Sequence, residues 1–166
     1  DRDPEELGMV AVQGNELSRF HHTGSYFIDY ETYLLDIDEA LAEIGELGGV
    51  AVLFHPGRYD YPVEWYVERL MKYPHLVGIE VYNQGNRYQN DRVLWDIVLT
   101  EMMPERPVWG FANDDMHTSS HYELNWNVFP LPELTVDEVR KGMETGRFYF
   151  SYINRFCELQ NSISKC

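Results

Sequence analysis

The sequence has few cysteines, few basic residues and no long apolar segment, and each shortage excludes a class of protein. Only two cysteines occur among 166 residues, without a CxxC spacing, which argues against a disulfide framework or a cysteine-rich metal site. Thirteen basic against 28 acidic side chains give a net charge of -15, so we expect no non-specific binding to nucleic acid or to an anionic membrane. No apolar run approaches the roughly 18 residues of a membrane span. We expect a cytoplasmic protein.

The chain does contain enough apolar material for a core. Hydrophobic residues make up 44% of the sequence and aromatic residues 14%, so a chain of this length can bury a sizeable core as one domain. We expect that domain to cover residues 1–151. A short polar tail, 152–166, would follow it and would carry both cysteines, Cys157 and Cys166, as incidental residues. The oligomeric state is open.

Patterns typical of strands and of helices alternate along the chain. Apolar residues at helical spacing predict helices over 36–47, 62–73, 90–103 and 135–146, and capping residues mark the first and the last of them. Aromatic and β-branched runs predict strands over 8–17, 22–30, 50–54, 76–82, 108–112 and 148–153, the first of them buried. This alternation predicts an α/β fold of parallel strands joined by helices, in a barrel or a doubly wound sheet.

Polar side chains stand at the ends of several predicted strands. In both candidate architectures, ligands and catalytic groups collect beyond the carboxyl ends of the strands. The residues found at strand edges are Glu16, His21, His22, His55, Arg58, Asn83, Asp114, Asp115 and His117. Since the strand ends converge in space, we expect several of these side chains to meet.

Imidazoles and carboxylates together are ligands for Zn, Mn or Fe, and several of each can hold more than one ion. Two such ions can share a bridging hydroxide, which is a nucleophile at neutral pH and suits attack on a phosphoryl or acyl group. Asp115 and His117 are two residues apart, so in extended backbone they would project from the same side. The pattern indicates a metal-dependent hydrolase.

The same residues have other interpretations that the sequence leaves open. In a histidine pair such as His21 and His22, one member is often a surface residue. Glu16 also fits a helix cap or a solvated position, and Asp114 fits a turn residue that orients backbone N–H groups. Arg58 also fits an ion pair with one of the abundant surface acids.

Five short motifs, in order along the chain, resemble those of the PHP superfamily, named for polymerase and histidinol phosphatase. They are QGNELS, HHTGSYFID, FHPGR, GIEVYN and GFANDDMH. The similarity extends over about residues 8–151, and it is strongest to the stand-alone metallohydrolase branch of phosphoesterases, which also contains enzymes that cleave carbamate esters. The resemblance implies a distorted (β/α)7 TIM-like barrel with two or three Zn, Mn or Fe ions and a small phosphate ester as substrate.

The resemblance also implies roles for individual residues. The implied metal ligands are Glu16, His22, His55, Asp115 and His117. Glu16 would bridge two ions, and the spacing in the family selects His22 over His21. Arg58 and Asn83 would approach the substrate or stand behind the metal ligands, and a guanidinium such as that of Arg58 fits a phosphate group.

One departure from the family pattern matters for both fold and function. The His-x-His pair that opens the domain in this family is absent, and a full (β/α) barrel needs roughly 200 residues or more. We therefore expect an N-terminally incomplete barrel. The function expected is that of a phosphoesterase, with a carbamate or amide hydrolase and a non-catalytic, degenerate metal-binding scaffold as alternatives.

Overall fold

The computed structural model describes residues 3–152. The helices are α1 (Ile37–Glu46), α2 (Val63–Lys72), α3 (Asn90–Met102) and α4 (Val136–Thr145). The strands are β1 (Gly14–Leu17), β2 (Thr23–Tyr26), β3 (Val50–Leu53), β4 (Leu76–Asn83), β5 (Trp109–Asn113), β6 (Asn125–Val128) and β7 (Tyr149–Tyr152). Each predicted helix is confirmed to within one residue at either end. None of the helices in the described range has the length and apolarity to cross a membrane. Residues 153–166 of the predicted tail, including both cysteines, lie outside the described residues.

The predicted (β/α)7 TIM-like barrel is wrong, because the sheet is open. Five strands pair in the order β1-β2-β3-β4-β5, and a separate antiparallel ribbon pairs β6 with β7. Within residues 3–152, β1 and β5 form opposite edges of the sheet and do not pair with each other. The fold is thus a small mixed α/β domain rather than a closed ring of parallel strands.

The direction of the strands explains this difference. The pairs β3–β4 and β4–β5 are parallel, as the alternation predicts, whereas β1–β2 and β2–β3 are antiparallel. Only residues 18–22 connect β1 to β2. A parallel connection needs a crossover of a dozen or more residues, so this short link forces a hairpin.

Two predicted strands, 8–17 and 22–30, are longer than the strands β1 and β2 that form there, and β6 was not predicted. The predicted first strand is reduced to β1, and Met9 in its missing part is 50% exposed. Residues 9–13 form no strand, and none of them is fully buried. The residues of β6, Asn125–Val128, alternate polar and apolar, but four residues that include two asparagines are too short and weak a signal to predict a strand.

The core lies on both faces of the sheet. Along β3, Ala51 and Leu53 join the larger cluster, which includes residues of α1, α2 and α3, whereas Val50 and Val52 join a smaller cluster with Met143 of α4. Successive side chains of a strand point to opposite faces. An unbroken apolar run in β3 is therefore the expected pattern for a strand covered on both sides, and it leaves the strand ends as the place for polar groups.

Candidate metal centre

His55 is positioned by a sharp turn at the end of β3. Its backbone has φ +31, in the left-handed region, and a short 3-10 turn over Pro56–Arg58 follows directly. Asp91 at the start of α3 accepts a hydrogen bond from the Gly57 N–H at 2.6 Å, which fixes this turn. The His55 side chain is consequently held inside the protein, with 2% of the residue exposed.

The antiparallel hairpin brings Glu16 and His22 to the same edge. Glu16 lies opposite Gly24 in the β1–β2 pair, and His22 immediately precedes β2. Since β2 runs antiparallel to β3, the start of β2 lies beside the end of β3, and the Phe54 N–H donates to the His22 carbonyl at 2.9 Å. A residue before one strand and a residue after another therefore become neighbours.

Three side chains form a compact group of metal-ligating atoms. One ligand atom from each of Glu16, His22 and His55 lies within 4.8 Å of the other two. His22 Nδ1 is 2.5 Å from Glu16 Oε1 and 3.0 Å from His55 Nε2, and His55 Nε2 is 3.9 Å from Glu16 Oε1. Two imidazoles and a carboxylate at this spacing are a donor set that fits Zn, Mn or Fe.

His22 is suited to ligation in its neutral form. Burial lowers the pKa of the His22 imidazole, and this effect outweighs the attraction to the Glu16 carboxylate, which raises the pKa. A neutral imidazole has a free lone pair for a metal ion. The residues present therefore fit a divalent ion.

Glu80 is a buried residue of this site that the sequence reading missed. It lies within β4 and is 1% exposed. Its Oε2 accepts from the His55 backbone N–H at 2.6 Å and lies 3.2 Å from His55 Nδ1, and its Oε1 accepts from Asn113 Nδ2 at 2.8 Å. Burial raises the pKa of the Glu80 carboxyl. The available signal was a carboxylate in the middle of an otherwise apolar strand.

Asn83, Asp115 and His117 lie on the other side of the same site. Asn83 Nδ2 is within 3.3 Å of Glu80 Oε2 and donates to Asp115 Oδ2 at 3.2 Å. The His117 ring donates from Nδ1 to the Asp115 carbonyl at 2.7 Å. The extended backbone assumed for these two residues is wrong, because β5 ends at Asn113 and Asp115 has φ +43. Among the described residues, only Glu16, His22 and His55 form a group compact enough for one ion.

The structure decides between the two interpretations of Asp114. The Asp114 carboxylate accepts from the backbone N–H groups of Glu123, Leu124 and Asn125, each at 2.8 Å, which confirms the turn-residue interpretation. Asp114 orders the loop after β5.

His21 is not a surface residue. It is 1% exposed and stacks between Tyr59 and Trp65, with ring centroids 4.2 and 5.2 Å away. Its Nε2 is 3.2 Å from the Tyr66 hydroxyl, and burial lowers the pKa of the imidazole to about 3. His21 is therefore a neutral core residue that supports its neighbour.

The compact group opens into a polar cleft of about 560 Å³. The cleft is lined by Glu16, Ser18, His22, His55, Arg58, Arg87, Tyr88, Asp115 and His117. The Arg58 guanidinium is exposed, and its Nη1 lies 3.5 Å from His22 Nε2. No carboxylate oxygen of residues 3–152 lies within 4.0 Å of an Arg58 guanidinium nitrogen, which is the limit for an ion pair. The Arg58 N–H groups are therefore available to an anion in the cleft.

The fold is similar to a solved structure. A crystal structure of a two-domain protein from Bacteroides vulgatus ATCC 8482, described as containing a predicted PHP-like metal-dependent phosphoesterase, matches with a TM-score of 0.66 and 18% sequence identity. The match covers 89% of this chain but 46% of that one, so this chain spans slightly less than half of that protein. No family model and no curated protein matches the sequence. At this identity the likeness shows the fold alone.

Proposed function

We propose that the chain is a metal-dependent hydrolase of the PHP type that acts on small phosphate esters. The observation that carries this proposal is the convergence of Glu16, His22 and His55, whose ligand atoms lie within 4.8 Å of one another at the wall of a polar cleft. The phosphoesterase description of the structurally similar protein supports the choice of substrate.

Glu16, His22 and His55 would hold a first divalent ion. Asp115 and His117 line the same cleft, and we propose them as ligands that complete a site for two or three ions, with Zn, Mn and Fe as the candidates. A metal bound there would polarise water and the phosphoryl oxygens. The cleft is lined by the carboxylates of Glu16 and Asp115, which would repel an anionic substrate. A bound ion would supply the positive charge that such a substrate needs.

The other residues of the cleft would bind and position. Arg58 fits a phosphate oxygen, because its exposed guanidinium lines the cleft and makes no ion pair within the described range. Asn83 is 1% exposed and bonds both Glu80 and Asp115. We propose that Asn83 holds these two carboxylates at the distance that the site requires, while Arg58 contacts the substrate.

The first test is the metal content of the purified 166-residue chain, measured by plasma mass spectrometry after dialysis against Zn and Mn. We expect at least one tightly held ion in the wild type, and its loss in Glu16→Gln, His22→Gln and His55→Gln. His75→Gln is the matched control, because His75 precedes β4 at the opposite end of the sheet and donates to the Leu41 carbonyl. A folded wild-type chain without metal would contradict the proposal.

The second test is turnover of phosphate esters and of carbamates by the metal-loaded chain. The proposal expects hydrolysis of phosphomonoesters that a chelator abolishes and that added metal restores. Faster hydrolysis of carbamates would instead favour a carbamate hydrolase with the same centre. Bound metal without turnover of either class would leave the degenerate scaffold as the correct interpretation.

A further inference from the structure

A second depression adjoins the cleft, and no acid is among the residues that line it, although the Asp115 carboxylate lies behind Gln84, Arg87 and His117. It has a volume of about 630 Å³ and is lined by Gln84, Arg87, His117 and His121. In a chain with a net charge of -15, a depression lined by one arginine, two histidines and an amide is the kind of surface that attracts an anion. Its shape is more open than the cleft of the metal centre, so an extended ligand can enter it.

Arg87 stands where the two spaces meet. Arg87 and His117 line both the cleft of the metal centre and the adjoining depression. The Arg87 side chain donates from Nη1 to Gln84 Oε1 at 3.3 Å, and its guanidinium lies 5.0 Å from the centre of the Tyr88 ring. These contacts hold the guanidinium in position without using its full set of N–H donors.

The nearest carboxylate forms an ion pair with Arg87 but no hydrogen bond. Arg87 Nη1 is 3.8 Å from Asp115 Oδ2, which is within ion-pair distance and beyond hydrogen-bond distance, and 49% of the Arg87 side chain is exposed. His121 accepts the His117 backbone N–H at Nδ1 over 3.2 Å, so its Nε2 carries the ring proton of the neutral imidazole and can donate. Arg87 and His121 therefore offer donors to the same depression.

We propose that Arg87 binds a second anionic group of the substrate, so that the chain prefers phosphate esters that also carry a carboxylate or another phosphate. This inference rests on the proposed function. The phosphate to be cleaved lies at the Glu16, His22 and His55 group beside Arg58, and the second anion lies in the depression against Arg87. A planar guanidinium fits either a carboxylate or a phosphate oxygen pair.

The test compares the binding of matched ligands to the metal-loaded chain by calorimetry, under conditions in which the chain does not hydrolyse them. One pair is 3-phosphoglycerate and glycerol 3-phosphate, which differ by a carboxylate, and the other is fructose 1,6-bisphosphate and fructose 6-phosphate. We expect the ligand with the second anion to bind about five- to tenfold more tightly, as a charge-assisted hydrogen bond predicts. Arg87→Gln should remove that advantage and leave unchanged the affinity for the ligand of each pair that has a single anionic group.

Arg92→Gln is the matched control. Arg92 lies over the Tyr82 ring at 5.0 Å, the same distance as Arg87 over Tyr88, but it does not line the cleft. Its variant should keep the full preference. Equal affinities within both pairs, an advantage that persists in Arg87→Gln, or no binding of any ligand would overturn the inference. The metal content of Arg87→Gln separates failure of this inference from failure of the proposed function. If the variant keeps its ion, only the second anion site is affected and the proposed function stands.

Discussion

His55 and Glu80 are joined twice through a single carboxylate oxygen. Glu80 Oε2 accepts the His55 backbone N–H at 2.6 Å and lies 3.2 Å from the ring Nδ1. One buried acid thus holds both the left-handed backbone of His55 and the orientation of its ring. With Nδ1–H directed to Glu80, the lone pair of Nε2 faces Glu16 and His22, which is the usual arrangement of a carboxylate behind a metal-binding histidine.

Glu80→Gln should therefore weaken metal binding without unfolding the chain. A glutamine keeps the size of the side chain but has one acceptor oxygen, so it cannot serve both the His55 and Asn113 donors. We expect about a 10- to 100-fold loss of metal affinity, the usual effect of losing such a partner. Competition titration with a chelating dye measures it. Glu46→Gln, at an exposed position of α1, is the control, and equal affinities for wild type and Glu80→Gln would show that Glu80 does not orient His55.

The adjacent histidines should respond differently to substitution. His21→Ala removes a ring stacked 4.2 Å from Tyr59 and leaves the Tyr66 hydroxyl without that partner. We expect a loss of about 2 to 3 kcal/mol in the free energy of unfolding, as for other large-to-small substitutions in a core. His22→Gln should change stability by less than about 1 kcal/mol, since His22 is only partly buried. Urea unfolding of the metal-free chains measures both values, and similar losses would contradict the assignment of His21 to the core.

Asp91 should make the stability of the chain depend on pH. Burial raises the pKa of the Asp91 carboxyl from its ordinary value of 3.8 to about 7 in the folded state. Between these values the unfolded chain has released the proton and the folded chain retains it, so the contribution of Asp91 to stability falls as pH rises from about 4 to about 7. Asp91→Asn keeps the acceptor for the Gly57 N–H and removes the titrating group.

The measurement is urea unfolding of the metal-free wild type and Asp91→Asn at intervals between pH 4 and pH 8. The difference in the free energy of unfolding should shift in favour of the variant by an amount on the order of a few kcal/mol across this range. Asp60→Asn, an exposed position in the loop before α2, should show no such change. A wild-type curve parallel to that of Asp91→Asn would mean that Asp91 does not titrate in this window.

Gly78 in β4 should not tolerate a side chain. A Cβ at this position would lie 2.2 Å from the Trp109 carbonyl oxygen of β5, which belongs to the backbone of the paired strand and cannot rotate away. We expect Gly78→Ala to cost about 3 kcal/mol in the free energy of unfolding. Gly48→Ala is the comparison, since nothing lies within 4 Å of its Cβ but its φ is +75, which costs about 1 kcal/mol. A smaller loss for Gly78→Ala than for Gly48→Ala would contradict the close packing of β4 and β5.

The local order of the chain could be read from the sequence. Periodicity located the four helices of residues 3–152, and caps also marked α1 and α4. In α1, the Asp36 carboxylate accepts from the N–H groups of Asp38 and Glu39. These signals are local, because a cap and a helical face depend on residues within a few positions. The residue types at the strand ends could also be read from the sequence, because a strand and the residues that follow it are local in the chain.

The tertiary structure alone decided how the strands pair and which side chains meet. The barrel prediction failed because a periodic pattern gives the strand but not the direction of its partner. The neighbouring residues His21 and His22 separate into a core residue and a cleft residue. The link between β1 and β2 places the His21 ring against Tyr59 and Trp65 and the His22 ring against Glu16 and His55. Glu80 and His55 are 25 residues apart in sequence and meet only because β3 and β4 pair. Residue type fixes what a side chain can bind, but only the packed sheet brings residues that are distant in sequence close enough to bind the same ion.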